Sequence, residues 1–181
     1  MKNNKKLQID EMGRKTISEF KQSDKTPIVV VLDNIRSLNN VGSVFRTCDA
    51  LLIEKLVLCG ITACPPSTEI HKTALGAEDS VEWVYAEDTL QAINQLKSEG
   101  YIVCSVEQAH NSVALQDFEF DATQKYAIVM GNEVKGVQQT VVDASEMCIE
   151  IPQYGTKHSF NVSVTTGMVL WEMFRQWKFG R

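Results

Sequence analysis

The sequence predicts an α/β protein built on a mainly parallel sheet with helices on both faces. Two observations carry that expectation. Short apolar runs rich in β-branched residues recur along the chain, and helix-like segments separate most of them. Strands in such an alternation are joined by crossovers and covered on both sides, so they read as near-continuous apolar runs.

Taken in order, Pro27 introduces the run IVVVLD (28–33), a buried strand, and residues 38–52 follow with helical character. The second strand is KLVLCG (55–60), and the loop ITACPPST after it is held open by Pro65 and Pro66. Residues 69–79 look helical and lead into the strand VEWVYA (81–86). Asp88 can cap a helix that runs to Glu99, where Gly100 stops it. YIVCSVE (101–107) and KYAIVM (125–130) are two further buried strands. A short helix is expected over 138–145, a last strand at MCIEIP (147–152) and a closing helix from Ser159 to Trp177. Residues 1–25 form an appendage to the domain at 26–181, with a helix expected near 10–21.

Composition narrows the class. The chain has 181 residues, enough for one domain with a real core, and is 44% hydrophobic and 23% charged. No apolar run reaches the roughly 20 residues needed to span a bilayer, and the charged N-terminus lacks the apolar segment of a secretory signal. The five cysteines and three histidines show neither C-x-x-C nor a zinc spacing, so no metal is expected. Reduced thiols and a cytoplasmic location fit this pattern. The net charge of −5 argues against a protein that grips nucleic acid over its whole surface. It leaves room for a local patch, and residues 1–25 hold seven basic side chains against four acidic ones. That arm is either simply solvated or a phosphate contact.

In a parallel α/β sheet the ligand site lies beyond the carboxyl ends of the strands. Three stretches at those ends are unusual. In the first, Asn39, Asn40, Gly42 and Ser43 sit at a strand-to-helix turn whose backbone N–H groups suit a phosphate, and Arg46 lies four residues past Gly42 on the same helix face. A capped helix with a surface arginine would explain the same residues. In the second, Gly131 and Gly136 bracket Glu133 in a tight loop that a plain strand-to-helix turn would also explain. In the third, Pro152 ends a strand, Gly155 bends the loop, and Ser159, Asn161, Ser163, Thr165 and Thr166 crowd the start of the last helix. A cap accounts for part of that cluster.

Together the three segments resemble the SpoU/TrmH branch of the SPOUT RNA methyltransferases. The first matches N-x-G-x-x-x-R at Asn40, Gly42 and Arg46; the second matches G-x-E-x-x-G at Gly131, Glu133 and Gly136. The third matches I-P-x-x-G-x-x-x-S-L-N-V-S-V at Ile151-Pro152, Gly155 and Ser159 to Val164. Phe160 replaces the usual Leu, and Thr165 and Thr166 replace small residues. The similarity runs from about residue 26 to residue 175, with no room for the extra N-terminal RNA-binding domain of some relatives.

The resemblance implies methylation of a ribose 2′-hydroxyl in structured RNA (tRNA or rRNA), with S-adenosylmethionine as methyl donor. It also implies a deep C-terminal trefoil knot and a homodimer with the site near the subunit interface. Met168, Leu170, Trp171, Phe174 and Trp177 give the last helix the apolar load for that contact. By the same resemblance Val106, Glu107, Gly131, Ile151 and Phe160 hold the cofactor, and Arg46 is the central catalytic residue, assisted by Asn40, Ser159 and Asn161. Two roles stand open for Arg46, general base or phosphate and alkoxide stabiliser, because a guanidinium is essentially always charged. Glu133 either pairs with Arg46 or meets substrate. The competing readings are a catalytically idle RNA-binding or assembly factor on the same scaffold and a nucleotide-dependent oxidoreductase. Against the second, the first strand leads into N-N-V-G-S instead of G-x-G-x-x-G.

Overall fold

Seven strands form one sheet in which every pair is parallel, ordered β3-β2-β1-β6-β4-β7-β5. The structure is a computed structural model that describes residues 4–8 and 10–180. The strands are β1 (Thr26–Asp33), β2 (Ile53–Cys59), β3 (Trp83–Ala86), β4 (Tyr101–Val106), β5 (Val113–Ala114), β6 (Lys125–Met130) and β7 (Met147–Glu150). The helices are α1 (Ile17–Gln22), α2 (Leu38–Ala50), α3 (Thr68–Ala74), α4 (Ala77–Ser80), α5 (Thr89–Ser98), α6 (Gln139–Ala144) and α7 (Val162–Phe179).

The central strand shows why an unbroken apolar run folds this way. Ile28, Val30 and Leu32 of β1 pack into one core with Val41, Val44 and Phe45 of α2 and Val169, Leu170 and Met173 of α7. Val29 and Val31 point the other way, into a second core with Ile93 and Leu96 of α5 and Val141 of α6. Both faces of β1 are therefore dry from Ile28 to Leu32, and the polar residues Thr26 and Asp33 stand only at its ends, where their side chains are hydrogen-bonded. Cys48, Cys59 and Cys104 are buried in these cores, and burial pushes the Cys59 and Cys104 thiols up to about 12.

Several expected elements change. The N-terminal helix over 10–21 is a 3-10 turn at Asp10–Met12 and a separate α1, divided by Gly13 at φ 59°. Lys2 of the basic arm lies outside the described residues. The single helix over 69–79 is α3 and α4, because Leu75 and Gly76 take left-handed backbone at φ 55° and 92°. The last helix begins at Val162, capped by Asn161, so Ser159 lies in the preceding loop. β5 follows a loop that carried no strand pattern and adds a short edge beside β7.

Strand order places the site. From β1 the chain runs outward through α2 to β2, whereas from β6 it runs through α6 to β7 on the other side. The connections after these neighbouring strands diverge, which opens a crevice at their carboxyl ends. Asp33 ends β1 there, fully buried. Its carboxylate accepts hydrogen bonds from Thr89 Oγ1 (2.7 Å), Asn34 Nδ2 (2.8 Å), Gln138 Nε2 (2.7 Å) and the Gln138 N–H (2.9 Å). Those bonds tie β1 to the starts of α5 and α6.

α2 lies close on α3. A methyl group on Gly42 would collide with the Ile70 carbonyl oxygen and the Thr73 hydroxyl, and Thr73 Oγ1 donates to the Asn39 carbonyl (2.9 Å). The glycine of the first motif thus serves helix packing. Gly42→Ala is expected to destabilise the protein by about 1–3 kcal/mol, as overpacking of a tight contact does. Urea denaturation would read this as a lower midpoint at unchanged slope.

Candidate active site

Glu133 has a definite set of partners. Its carboxylate accepts from the N–H groups of Arg36 (2.9 Å) and Ser37 (3.0 Å) and from Asn40 Nδ2 (2.9 Å). Burial acts to raise the Glu133 pKa, but the hydrogen bonds from Arg36, Asn40 and Ser37 outweigh it and hold the carboxyl below the usual range. A negative group against the first amides of a 13-residue helix is also favourable to the helix dipole. Of the two roles left open for Glu133, the pairing with Arg46 does not form within the chain. Glu133 takes the Arg36 and Ser37 amides and Ser37 Oγ caps the Asn40 N–H, so these three amides of the strand-to-helix turn are not free for a phosphate.

The third segment joins this cluster through Asn161. Its side-chain oxygen caps α7, accepting from the N–H groups of Ser163 (2.9 Å) and Val164 (3.4 Å). Its amide nitrogen donates to Asn40 Oδ1 (3.2 Å). A continuous chain, Glu133 to Asn40 to Asn161, therefore links all three motif segments.

The loop at 131–137 is shaped for that purpose. A side chain at Gly131 would strike the backbone of Gly136 and Val137, and Gly136 sits at φ 68°. Asn132 Oδ1 accepts from the N–H groups of Val134 (3.0 Å) and Lys135 (3.1 Å), and its amide donates to the Asn34 carbonyl (2.6 Å). Glu107 braces the far end, accepting from the Val137 N–H (3.0 Å).

Beside this cluster lies a cleft of about 1320 Å³. It is lined by Val106, Glu107, Gly131, Ile151 and Phe160, and also by Glu133, Ser159 and Asn161. Asn40 reaches its edge through Asn161. The Ser159 hydroxyl is exposed and has no hydrogen-bond partner among the described residues. Glu107, Glu133, Asp143 and Glu150 make the lining acidic, against Lys135 as its one lysine or arginine.

Arg46 stands apart. It is exposed on α2, pairs with no carboxylate among the described residues, and lines a second depression with Ser43, Thr47, Lys72, Thr73 and Trp171. The two hollows share no residue. Asn40 and Arg46 are six positions apart on one helix, which puts them roughly 9 Å apart along the axis and on faces about 120° apart.

The sequence model of the SpoU rRNA Methylase family matches residues 27–171. The chain belongs to the SpoU rRNA methylase family. A family member from Aquifex aeolicus, tRNA (guanosine(18)-2′-O)-methyltransferase, is 30% identical over 169 residues, covering 92% of this chain and 77% of the relative. The crystal structure of the A. aeolicus TrmH/SpoU tRNA modifying enzyme superposes with a TM-score of 0.80 at 26% identity, over 91% of this chain and 82% of the other. An AdoMet-bound rRNA methyltransferase from Sinorhizobium meliloti gives 0.76 at 27% identity, over 84% of this chain and 57% of that longer protein. The family's motif positions are thus embedded in the family's sheet.

Sequence reasoning missed Ser37, Asp33 and Asn132. Ser37 carried a signal, a serine just before a helical run. Asp33 carried another, an acid ending an apolar strand. Nothing local marks Asn132.

Glu133→Gln leaves an amide N–H₂ facing backbone donors and is expected to cost about 1–3 kcal/mol at neutral pH. The lowered carboxyl makes a contribution that is fully present above the unfolded-state pKa of about 4.3 and is lost as pH falls through the lower folded value. The stability gap between wild type and variant, from urea melts across pH, should therefore narrow on acidification.

Proposed function

We propose that the protein transfers a methyl group from S-adenosylmethionine to a ribose 2′-hydroxyl of RNA, tRNA or rRNA. The observation that carries this reading is the hydrogen-bonded chain from Glu133 through Asn40 to Asn161, which gathers the family's three motifs at the mouth of one cleft. The cleft suits the methyl donor. Its volume exceeds that of ordinary small-molecule pockets, roughly 300–1,000 Å³. Its walls combine apolar Val106, Ile149, Ile151 and Phe160 with carboxylates that favour a cation. Val106, Glu107, Gly131, Ile151 and Phe160 would hold the cofactor, Glu107 and Gly131 partly by fixing the loop at 131–137. Bound there, S-adenosylmethionine supplies an electrophilic methyl on a sulfonium.

The chain's own residues then have separate tasks. Ser159, with a free hydroxyl, and Asn161 orient the ribose. Asn40 is held by Glu133 so that its oxygen fixes Asn161. Glu133 acts through Asn40 and the start of α2, as a positioning residue. Arg46 grips an RNA phosphate and stabilises the alkoxide as the hydroxyl gives its proton to solvent water, an electrostatic role suited to a persistent cation.

Arg46 and the cleft open on different sides of α2 within one chain. A homodimer that packs the α7 face of one protomer on its partner brings the arginine side of one to the cleft of the other. The exposed Phe160 and Val164 supply apolar surface for that contact. The trefoil knot at the C-terminal end belongs to the same proposal, supported by the insertion of the late strand β6 between β1 and β4. The domain at 26–181 carries these functions, with residues 1–25 as an accessory arm. Among the described residues no helix is long and apolar enough to cross a membrane.

Purified protein is expected to be stabilised in a thermal shift by S-adenosylhomocysteine and not by NAD, since a ligand of the native state raises its melting temperature. It should transfer labelled methyl from S-adenosylmethionine to bulk RNA, recovered on digestion as a 2′-O-methyl nucleotide. Arg46→Ala should lower turnover by about 100-fold or more and leave the S-adenosylhomocysteine shift intact. Arg46→Lys should keep part of the activity, although Lys lacks the bidentate geometry. Binding without turnover in the wild type would instead support the idle RNA-binding factor.

A further inference from the structure

The depression around Arg46 contains a second cation that no motif marks. Lys72, on α3, lines it together with Ser43 and Thr47 of α2, Thr73 of α3 and Trp171 of α7. No carboxylate lines this hollow among the described residues, in a chain whose net charge is −5 and whose neighbouring cleft is acidic.

The hydroxyls in the hollow are already committed as donors. Ser43 Oγ donates to the Asn39 carbonyl (2.8 Å), Thr47 Oγ1 to the Ser43 carbonyl (3.1 Å) and Thr73 Oγ1 to the Asn39 carbonyl (2.9 Å). An anion needs donors, so its charge falls to Arg46 and Lys72. Among the described residues Lys72 is engaged only with Glu69, at 2.6 Å, and those two side chains are 65% and 50% exposed. A surface pair of this kind contributes little and is readily exchanged for a better partner.

We propose that Lys72 is a second RNA-phosphate ligand, binding the backbone next to the phosphate that Arg46 takes and so setting the register of the strand at the cleft. Two cations on neighbouring helices can hold two phosphates of one strand and so fix the line along which it runs, which one cation cannot. The acidic cleft repels the same backbone, so the RNA is confined to the Arg46–Lys72 side and only the target ribose approaches the methyl donor. This rests on the reading of the protein as an RNA methyltransferase.

The test uses the full chain and two readouts. Filter binding of bulk tRNA and of bulk rRNA, without methyl donor and over a salt series, reads affinity; methyl transfer to the same RNA reads KM and kcat. Lys72→Ala is expected to weaken binding severalfold, to reduce the slope of log affinity against log salt by about 1, and to raise KM for RNA with kcat nearly unchanged. Lys72→Arg should restore both slope and KM, and Glu69→Gln, which removes the competing carboxylate, should tighten binding. An unchanged salt slope and KM in Lys72→Ala, or a loss confined to kcat, overturns the proposal. If Arg46→Ala is inactive and Lys72→Ala is normal, only the role of Lys72 falls. If the wild type neither binds nor methylates RNA, the functional reading falls with it.

Discussion

Glu133 reaches from the loop after β6 to the first turn of α2, across 93 to 97 residues of sequence, and there satisfies two backbone amides and one side-chain amide. The rest of the site depends on that contact. It fixes the direction in which α2 leaves the sheet and hence where Arg46 points. It orients the amide of Asn40, whose oxygen then receives Asn161 from the start of α7. Charge-assisted bonds of this kind are short and stronger than neutral ones. Breaking one also strands helix-terminal donors that have no intrahelical partner. The glycines on either side belong to the same device: Gly131 and Gly136 let the loop fold tightly enough to aim the carboxylate.

The electrostatic division follows from the same geometry. Because Glu133 and its loop face the β6 side of α2, the carboxylates of Glu107, Asp143 and Glu150 collect with it in the cleft, while Arg46 and Lys72 are left on the α3 side. A transfer between a cationic donor and a polyanionic acceptor benefits from this segregation. Under the proposed assignment each reactant would be drawn to its own compartment, and the two would meet only where the compartments abut. The net charge of −5 is then no argument against an RNA substrate. Most of the excess is irrelevant to a short basic surface, since charges beyond a Debye length of roughly 10 Å are screened.

The sheet was legible in the sequence because burial on both faces leaves a strong trace. Runs such as IVVVLD and KYAIVM have no polar face to lose, and their parallel pairing follows from the helices between them. Element ends were less legible where one residue's backbone decides them. Leu75, a non-glycine residue in left-handed backbone, splits α3 from α4 together with Gly76, and only the glycine is marked in the sequence. The site was legible as three segments but not as a set of bonds. Spacing brought Glu133 near the turn at 36–40 only in the sense that both lie at strand ends. Which amides it takes depends on β1 and β6 being neighbours, a fact of topology. Gly42 shows the converse, a motif residue whose observed contact is with α3.

Arg46 exposes the limit of reading motifs as if they met within one chain. N-x-G-x-x-x-R lies on a single helix, and helical geometry forbids its first and last residues from facing the same atom. Asn40 looks to the cleft and Arg46 to α3 and α7. Local spacing therefore encodes two surfaces, one at the acidic cleft and one around Arg46, which the proposed function gives to the cofactor and to the RNA. Proximity of the two in a working enzyme must come from an arrangement beyond α2 itself. In the homodimer proposed above, one isologous contact would bring both arginine faces to both clefts at once. The same contact would cover the exposed Phe160 and Val164, apolar side chains that a solitary chain leaves in water. Desolvation of the reacting centre and concealment of that apolar face would then follow from one packing event.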